Sequence, residues 1–236
     1  VDHTFIVRDV VVHNTRTIVT IAAHLGQRSP LKVVIGTPTR AQAFATAARL
    51  CEQMPADKVV LAMNRVAHGE APEGVTVAPS AAPEVGSVQV RTLASCQRKG
   101  STPKCDVFII DESYQTTYAL ASVATCYADQ VLLVGDPGQI GPVVTADTTA
   151  WEPLRIAPHR RAPEAFAHIG NPVRMNLDAT WRLGQRTAEA IAPLYPFAFH
   201  SARPDRPIEG VREIEPLIVP AADTPYDPVV LAQVAE

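Results

Sequence analysis

Short apolar runs rich in Val and Ile alternate along the chain with stretches of helical periodicity. This is the pattern of a parallel sheet whose strands are joined by helical crossovers. Strands are predicted at Lys32–Gly36, Lys58–Ala62, Val88–Thr92, Val107–Asp111 and Gln130–Gly135. Their nearly continuous hydrophobicity predicts strands covered on both faces. Helices are predicted at Arg16–Leu25, Arg40–Glu52, Thr117–Ala124 and Gly184–Ala192, with Gly26 as the stop of the first. Asn64 to Gly86 and Pro142 to Met175, both interrupted by prolines and glycines, read as irregular segments.

Composition narrows this picture only a little. At 236 residues the chain is long enough for one α/β domain with a sizeable core, or for a domain and part of another. A hydrophobic fraction of 47% and a charged fraction of 19% belong to the globular class. The net charge of −3 advertises no global basic field for nucleic acid, which leaves a local basic groove open. Cys51, Cys96, Cys105 and Cys126 have no metal-ligand spacing and suit a reducing, cytoplasmic setting. No run of 18 apolar residues and no signal peptide is present, so neither a membrane partner nor export is expected.

Chemistry enters at the strand ends. Val107-Phe108-Ile109-Ile110-Asp111-Glu112-Ser113-Tyr114-Gln115 delivers two carboxylates to the carboxyl end of an apolar strand, where ligands bind in open α/β sheets. One carboxylate can hold Mg²⁺ and the next can activate the water that attacks a γ-phosphate. Asp-Glu at a strand end is also an ordinary solvated turn. Further on stands Val131-Leu132-Leu133-Val134-Gly135-Asp136-Pro137-Gly138-Gln139-Ile140-Gly141-Pro142-Val143-Val144. In order and spacing the two segments resemble motifs of the superfamily 1 helicases. The Asp-Glu-x-x-Gln form and the Gly-Pro pair resemble the branch related to the nonsense-mediated-decay helicase.

The resemblance extends in chain order. Gly36-Thr37-Pro38-Thr39-Arg40-Ala41-Gln42 and Val90-Arg91-Thr92-Leu93-Ala94-Ser95 resemble two loops that touch single-stranded nucleic acid in that family. This implies backbone contacts from Pro38, Thr39, Arg40, Thr92 and Ser95 to single-stranded DNA or RNA. Either loop by itself also reads as a helix N-cap. Leu177-Asp178-Ala179-Thr180-Trp181-Arg182-Leu183 resembles the motif in which an aromatic precedes an arginine finger. The resemblance implies Glu112, Gln139 and Arg182 as catalytic, Thr15 and Asp111 as Mg²⁺ ligands, and ATP as substrate. The expected fold class is α/β, a P-loop NTPase (RecA-like) parallel sheet with helices on both faces, lacking its first strand and Gly-rich loop.

Thr15 is a seam. His3-Thr4-Phe5-Ile6-Val7-Arg8-Asp9-Val10-Val11-Val12-His13-Asn14 resembles the last blocks of an intein, and Thr15-Arg16-Thr17-Ile18-Val19-Thr20 resembles the helix that follows a phosphate-binding loop. The chemistry suits those residue types. The Asn14 side-chain amide can attack its own carbonyl carbon, His13 and His3 can assist that cleavage, and the Thr15 hydroxyl can serve as the acyl acceptor. An edge strand over Val10 to Val12 ending in a His-Asn turn is the bland alternative. The implied partners are the upstream intein and host segment of the same precursor.

The expected organisation is an intein remnant over 1–14, a partial RecA-like ATPase domain over 15–206, and a linker with the start of a second RecA-like domain over 207–236. The leading functional expectation is the post-intein piece of an ATP-dependent helicase or translocase, inactive as an isolated chain. Two alternatives stand beside it: a self-processing module that releases a downstream effector, and a P-loop ATPase that binds nucleic acid without unwinding it. A further expectation places Val10–Val12 in or beside the central sheet next to the Val107–Asp111 strand.

Overall fold

The computed structural model describes residues 14–97, 104–126, 128–180 and 183–203. The chain falls into two compact units, residues 1–176 and 177–236. In the first, α1 (Asn14–Arg28), β1 (Val33–Thr37), α2 (Arg40–Cys51), β2 (Val59–Leu61), β3 (Thr76–Val77) and β4 (Val88–Thr92) come first. They are followed by α3 (Leu93–Cys96), β5 (Cys105–Ile110), α4 (Tyr118–Thr125), β6 (Ala128–Leu133) and α5 (Ala162–Phe166). The six strands form one sheet in the order β3-β2-β4-β1-β5-β6, every pair parallel. The second unit holds α6 (Gln185–Ile191) and a parallel pair, β7 (Ala179–Thr180) with β8 (His200–Ser201).

Two apolar layers explain why the strands are apolar throughout. Val33, Ile35, Val59, Leu61, Val88, Val90 and Ile109 pack on one face against Ile18, Val19, Ala22, Ala43, Ala47 and Leu50 of α1 and α2. Val34, Phe108 and Ile110 pack on the other against Leu93, Cys96, Ala121 and Ala124 of α3 and α4. β1 is buried along its whole length, as a strand covered on both faces must be. β6 departs from that expectation. Its residues 129–131 are exposed, Val131 to 37%, because among the described residues β5 is its sole neighbour in the sheet.

Crossover handedness is uniform along the sheet. The β1–α2–β2 connection steps toward β3 over the α1/α2 face. The β4–α3–β5 and β5–α4–β6 connections step the opposite way over the α3/α4 face. A parallel crossover is right-handed in about 98% of cases, and these connections share one sense. The expectation of Val10–Val12 in or beside the sheet next to Val107–Asp111 concerns a position near β5, whose neighbours among the described residues are β1 and β6. Val10–Val12 itself lies outside the described residues.

Sequence and structure differ locally in three further places. Gly26 does not stop α1, which continues to Arg28. A Cβ at Gly26 would meet Val88 Cγ2 at 2.9 Å, so the glycine permits close helix–strand packing instead. The segment 64–86 contains the edge strand β3, two exposed residues too short to show an alternation. The segment 142–175 contains α5, which starts with Pro163 in its first turn.

Candidate functional site

β5 and β6 end side by side and carry their loops to the same edge of the sheet. Asp111 follows the last residue of β5, and its amide still donates to Gly36 O at 3.0 Å, so sheet pairing carries its backbone past the strand. The residue is 2% exposed, with Oδ1 accepting from the Glu112 amide at 2.9 Å. Burial pushes the Asp111 carboxyl above its ordinary value, and that amide bond opposes the shift.

Glu112 adopts φ 51° and ψ 44°, a left-handed conformation uncommon for a residue with a side chain. Such a backbone costs on the order of 1–3 kcal/mol and persists only where the surroundings impose it. Here the Ser113 amide donates to Val134 O at 2.9 Å, while the Gln115 amide and the Thr116 hydroxyl donate to Glu112 O at 2.9 and 3.2 Å. Burial, and then the charges of Asp111 and Asp136, push the Glu112 carboxyl upward. Glu112 Oε2 is buried without a hydrogen-bond partner, as is Ser113 Oγ. The two buried oxygens left unsatisfied lie beside the Asp111 carboxylate, an arrangement that a cation or a polar ligand would relieve.

The neighbouring loop reaches this site because Gly135 has no side chain. A Cβ there would lie 2.9 Å from Ser113 Oγ and 3.0 Å from the amides of Ser113 and Tyr114. Asp136 Oδ1 accepts from the Gly138 amide at 2.9 Å, and the Gln139 amide donates to Asp136 O at 3.3 Å. Gln115 Nε2 then donates to Gln139 Oε1 at 2.7 Å. Gln115 and Asp136 were not among the residues singled out from the sequence, although both stand in the quoted motifs.

The remaining sequence-derived sites are placed as follows. Thr15 lies half-buried in the first turns of α1, and Asn14 is helical in backbone, so the helix is continuous across the Asn14–Thr15 bond. Thr39 caps α2 in a capping box, its Oγ1 accepting from the Gln42 amide at 3.2 Å and its amide donating to Gln42 Oε1 at 3.1 Å. Arg40 donates to Asn64 O at 2.9 Å and Arg65 O at 3.1 Å, and its charge lies 3.7 Å from Glu70. Pro38, just before Thr39, is partly exposed. Ser95 Oγ donates to Thr92 O at 2.6 Å and accepts from Arg91 Nε at 3.1 Å, holding an arginine that is 3% exposed. These side chains thus hold the loops in shape. His3, His13 and Arg182 lie outside the described residues.

The donors at the sheet edge suit a hard divalent cation. Asp111 offers a carboxylate oxygen, and Glu112 Oε2 has no partner. Among the described residues no three acidic, histidine or cysteine side chains form a cage. No helix among the described residues is long and apolar enough to cross a membrane.

Residues 61–179 match the model of the viral superfamily 1 RNA helicase core domain. That stretch takes in Asp111, Glu112 and Gln139 and leaves Thr15 and the 36–42 loop outside it. Among solved structures, the PRRSV helicase is similar at 20% identity and a TM-score of 0.46, over 80% of this chain and 33% of that one. The arterivirus nonstructural protein 10 helicase, in a complex with DNA, is similar at 16% identity and a TM-score of 0.51, over 80% of this chain and 39% of that one. The chain therefore spans between a third and two-fifths of the length of these two helicases. At 16% identity the likeness to the second is one of fold. No curated protein matches the chain.

Proposed function

We propose, for a chain that belongs to the viral superfamily 1 RNA helicase core-domain family, that it forms part of an NTP-dependent helicase or translocase acting on single-stranded DNA or RNA. The observation that carries this reading is the convergence of Asp111, Glu112 and the Gln139 loop at one sheet edge, with Glu112 Oε2 buried and unpartnered. Asp111 and Thr15 are the residues that would hold Mg²⁺, which when bound supplies charge neutralisation at the β- and γ-phosphates of ATP. Glu112 orients and deprotonates the attacking water, for which its raised carboxyl is suited. Gln139 senses the γ-phosphate, and Arg182 serves as the arginine finger. Pro38, Thr39, Arg40, Thr92 and Ser95 line the path of the nucleic-acid backbone. Within superfamily 1, the Gln115–Gln139 pair supports the branch related to the nonsense-mediated-decay helicase, whose Asp-Glu-x-x-Gln form supplies that glutamine.

The finer organisation belongs to the same reading. Residues 1–14 are the end of an intein, 15–206 the partial ATPase domain, and 207–236 a linker with the start of a second RecA-like domain. His3, His13, Asn14 and Thr15 form the splice junction, and the glycines and lysine of the phosphate loop precede the intein in the precursor. The isolated chain is then inactive, and activity belongs to the spliced protein. The described cysteines are all free, which supports a cytoplasmic setting.

The test is steady-state ATP hydrolysis by the complete spliced protein, with and without single-stranded RNA or DNA. Mg²⁺-dependent turnover stimulated by the nucleic acid is expected. A wild-type protein that hydrolyses ATP at the same rate with and without nucleic acid, or not at all, would overturn the reading.

A further inference from the structure

We infer that Arg161 is a positioning residue for the Gln139 loop, acting from outside every motif through two backbone carbonyls. Arg161 immediately precedes α5, and its backbone is stitched to the segment that follows Gln115. Thr117 and Arg161 form a β-bridge, the Ala162 amide donates to Thr116 O at 2.9 Å, and the Tyr118 amide donates to Arg160 O at 2.8 Å. From this fixed base the guanidinium reaches across to the neighbouring loop. Nη1 donates to Pro137 O at 3.2 Å and Nη2 to Gln139 O at 3.1 Å. Hydrogen bonds from a charged donor are about twice as strong as neutral ones, and a planar fork fixes direction as well as distance.

Two features make this brace decisive for the loop. Gly141 leaves room for the guanidinium, since a Cβ there would stand 2.9 Å from Arg161 Nε and 3.3 Å from Nη2. The loop has little apolar anchorage of its own, with Ile140 and Val143 each 87% exposed. Gln139 is therefore held at both ends: its side chain by Gln115 and its carbonyl by Arg161, two residues that belong to one stitched segment. The ion pair with Glu164, 3.8 Å long and half exposed on the acid side, adds little. Arg161 touches no reacting group in this scheme. It keeps Gln139 in the orientation that the proposed NTP site requires, and its effect on turnover rests on that reading.

The experiment uses the complete protein in wild-type form and as Arg161→Ala, Arg161→Lys, Gly141→Ala and the Arg161→Ala/Gly141→Ala double variant. Nucleic-acid-stimulated ATP hydrolysis is measured alongside backbone hydrogen exchange. Arg161→Ala is expected to lower kcat about tenfold or more while KM for ATP stays within about twofold, the signature of lost positioning. Arg161→Lys, which keeps the charge without the fork, should fall between. Gly141→Ala should reproduce the alanine effect by displacing the guanidinium, and the double variant should be no worse than the stronger single one, because both remove one shared interaction. Amides at 136–141 should exchange faster in each variant while those of β5 at 105–110 stay unchanged. Unaltered kcat or unaltered exchange at 136–141 in Arg161→Ala overturns the inference, as does equal acceleration at 105–110. An inactive wild type sinks the NTP-site reading alone, and exchange at 136–141 then decides whether the brace exists.

Discussion

Gln115 Nε2 lies 2.7 Å from Gln139 Oε1, so the loop after β5 and the loop after β6 are joined by a side-chain hydrogen bond across the sheet edge. Each loop carries part of the proposed NTP site, so the bond links the two parts. Gln115→Ala and Gln139→Ala are each expected to reduce nucleic-acid-stimulated ATP hydrolysis in the complete protein. The double variant should show a coupling term of about 0.5–3 kcal/mol in the apparent activation free energy. Strict additivity of the two losses would show that the bond carries no functional coupling.

Glu112→Gln is expected to lower turnover by about 10²–10⁴-fold, the range for loss of a general base, with nucleotide binding kept. Steady-state hydrolysis and fluorescent-nucleotide titration on the same preparation separate the two. In the wild type the acid limb of the pH–rate profile should sit above the ordinary glutamate value of about 4.3, because burial and the nearby carboxylates raise this group. The base must be ionised, so activity is lost as pH falls through that raised value.

Asp111 gives a stability prediction with a definite sign. Its carboxyl is raised in the folded state by burial, so the folded chain binds its proton more tightly than the unfolded chain does. Stability from this group is full below the unfolded value near 3.9 and declines as pH rises through the folded value. Asp111→Asn removes that penalty. Thermal melts of the chain without metal should show a higher Tm for the variant at pH 7, with the advantage shrinking toward pH 3.5. An equal Tm at pH 7 would mean that the buried charge is already compensated.

Gly36 tests the packing that positions both strands. A Cβ there would lie 2.6 Å from Leu93 Cδ2 and 2.7 Å from Phe108 Cε1, in the layer beneath α3 and α4. Gly36→Ala is expected to destabilise the chain by about 1–3 kcal/mol through overpacking, measured by urea unfolding. Wild-type stability would show that Phe108 and Leu93 move aside freely.

Asn14→Ala is expected to block cleavage of the Asn14–Thr15 bond in the precursor, since only the Asn side chain supplies the cyclising nitrogen. Intact-mass measurement of the products decides it, and ligated product at wild-type levels would remove the splice-junction proposal.

The sequence by itself determined the parallel sheet and the two carboxylates at its edge. Runs such as Val107–Ile110 are apolar at every position because both faces of a covered strand must be buried, and that requirement is visible in one dimension. The Gly-Asp-x-x-Gln spacing likewise marked Gln139. Other features depend on which elements become neighbours. Gly26 looked like a helix stop until Val88 was placed against it. Arg161 lay in a segment without periodicity, and nothing local distinguishes it from Arg160. Only the antiparallel bridge at Thr117 and the missing side chain of Gly141 bring its guanidinium to the Gln139 loop, a contact made across 22 residues of sequence by the way the sheet edge closes.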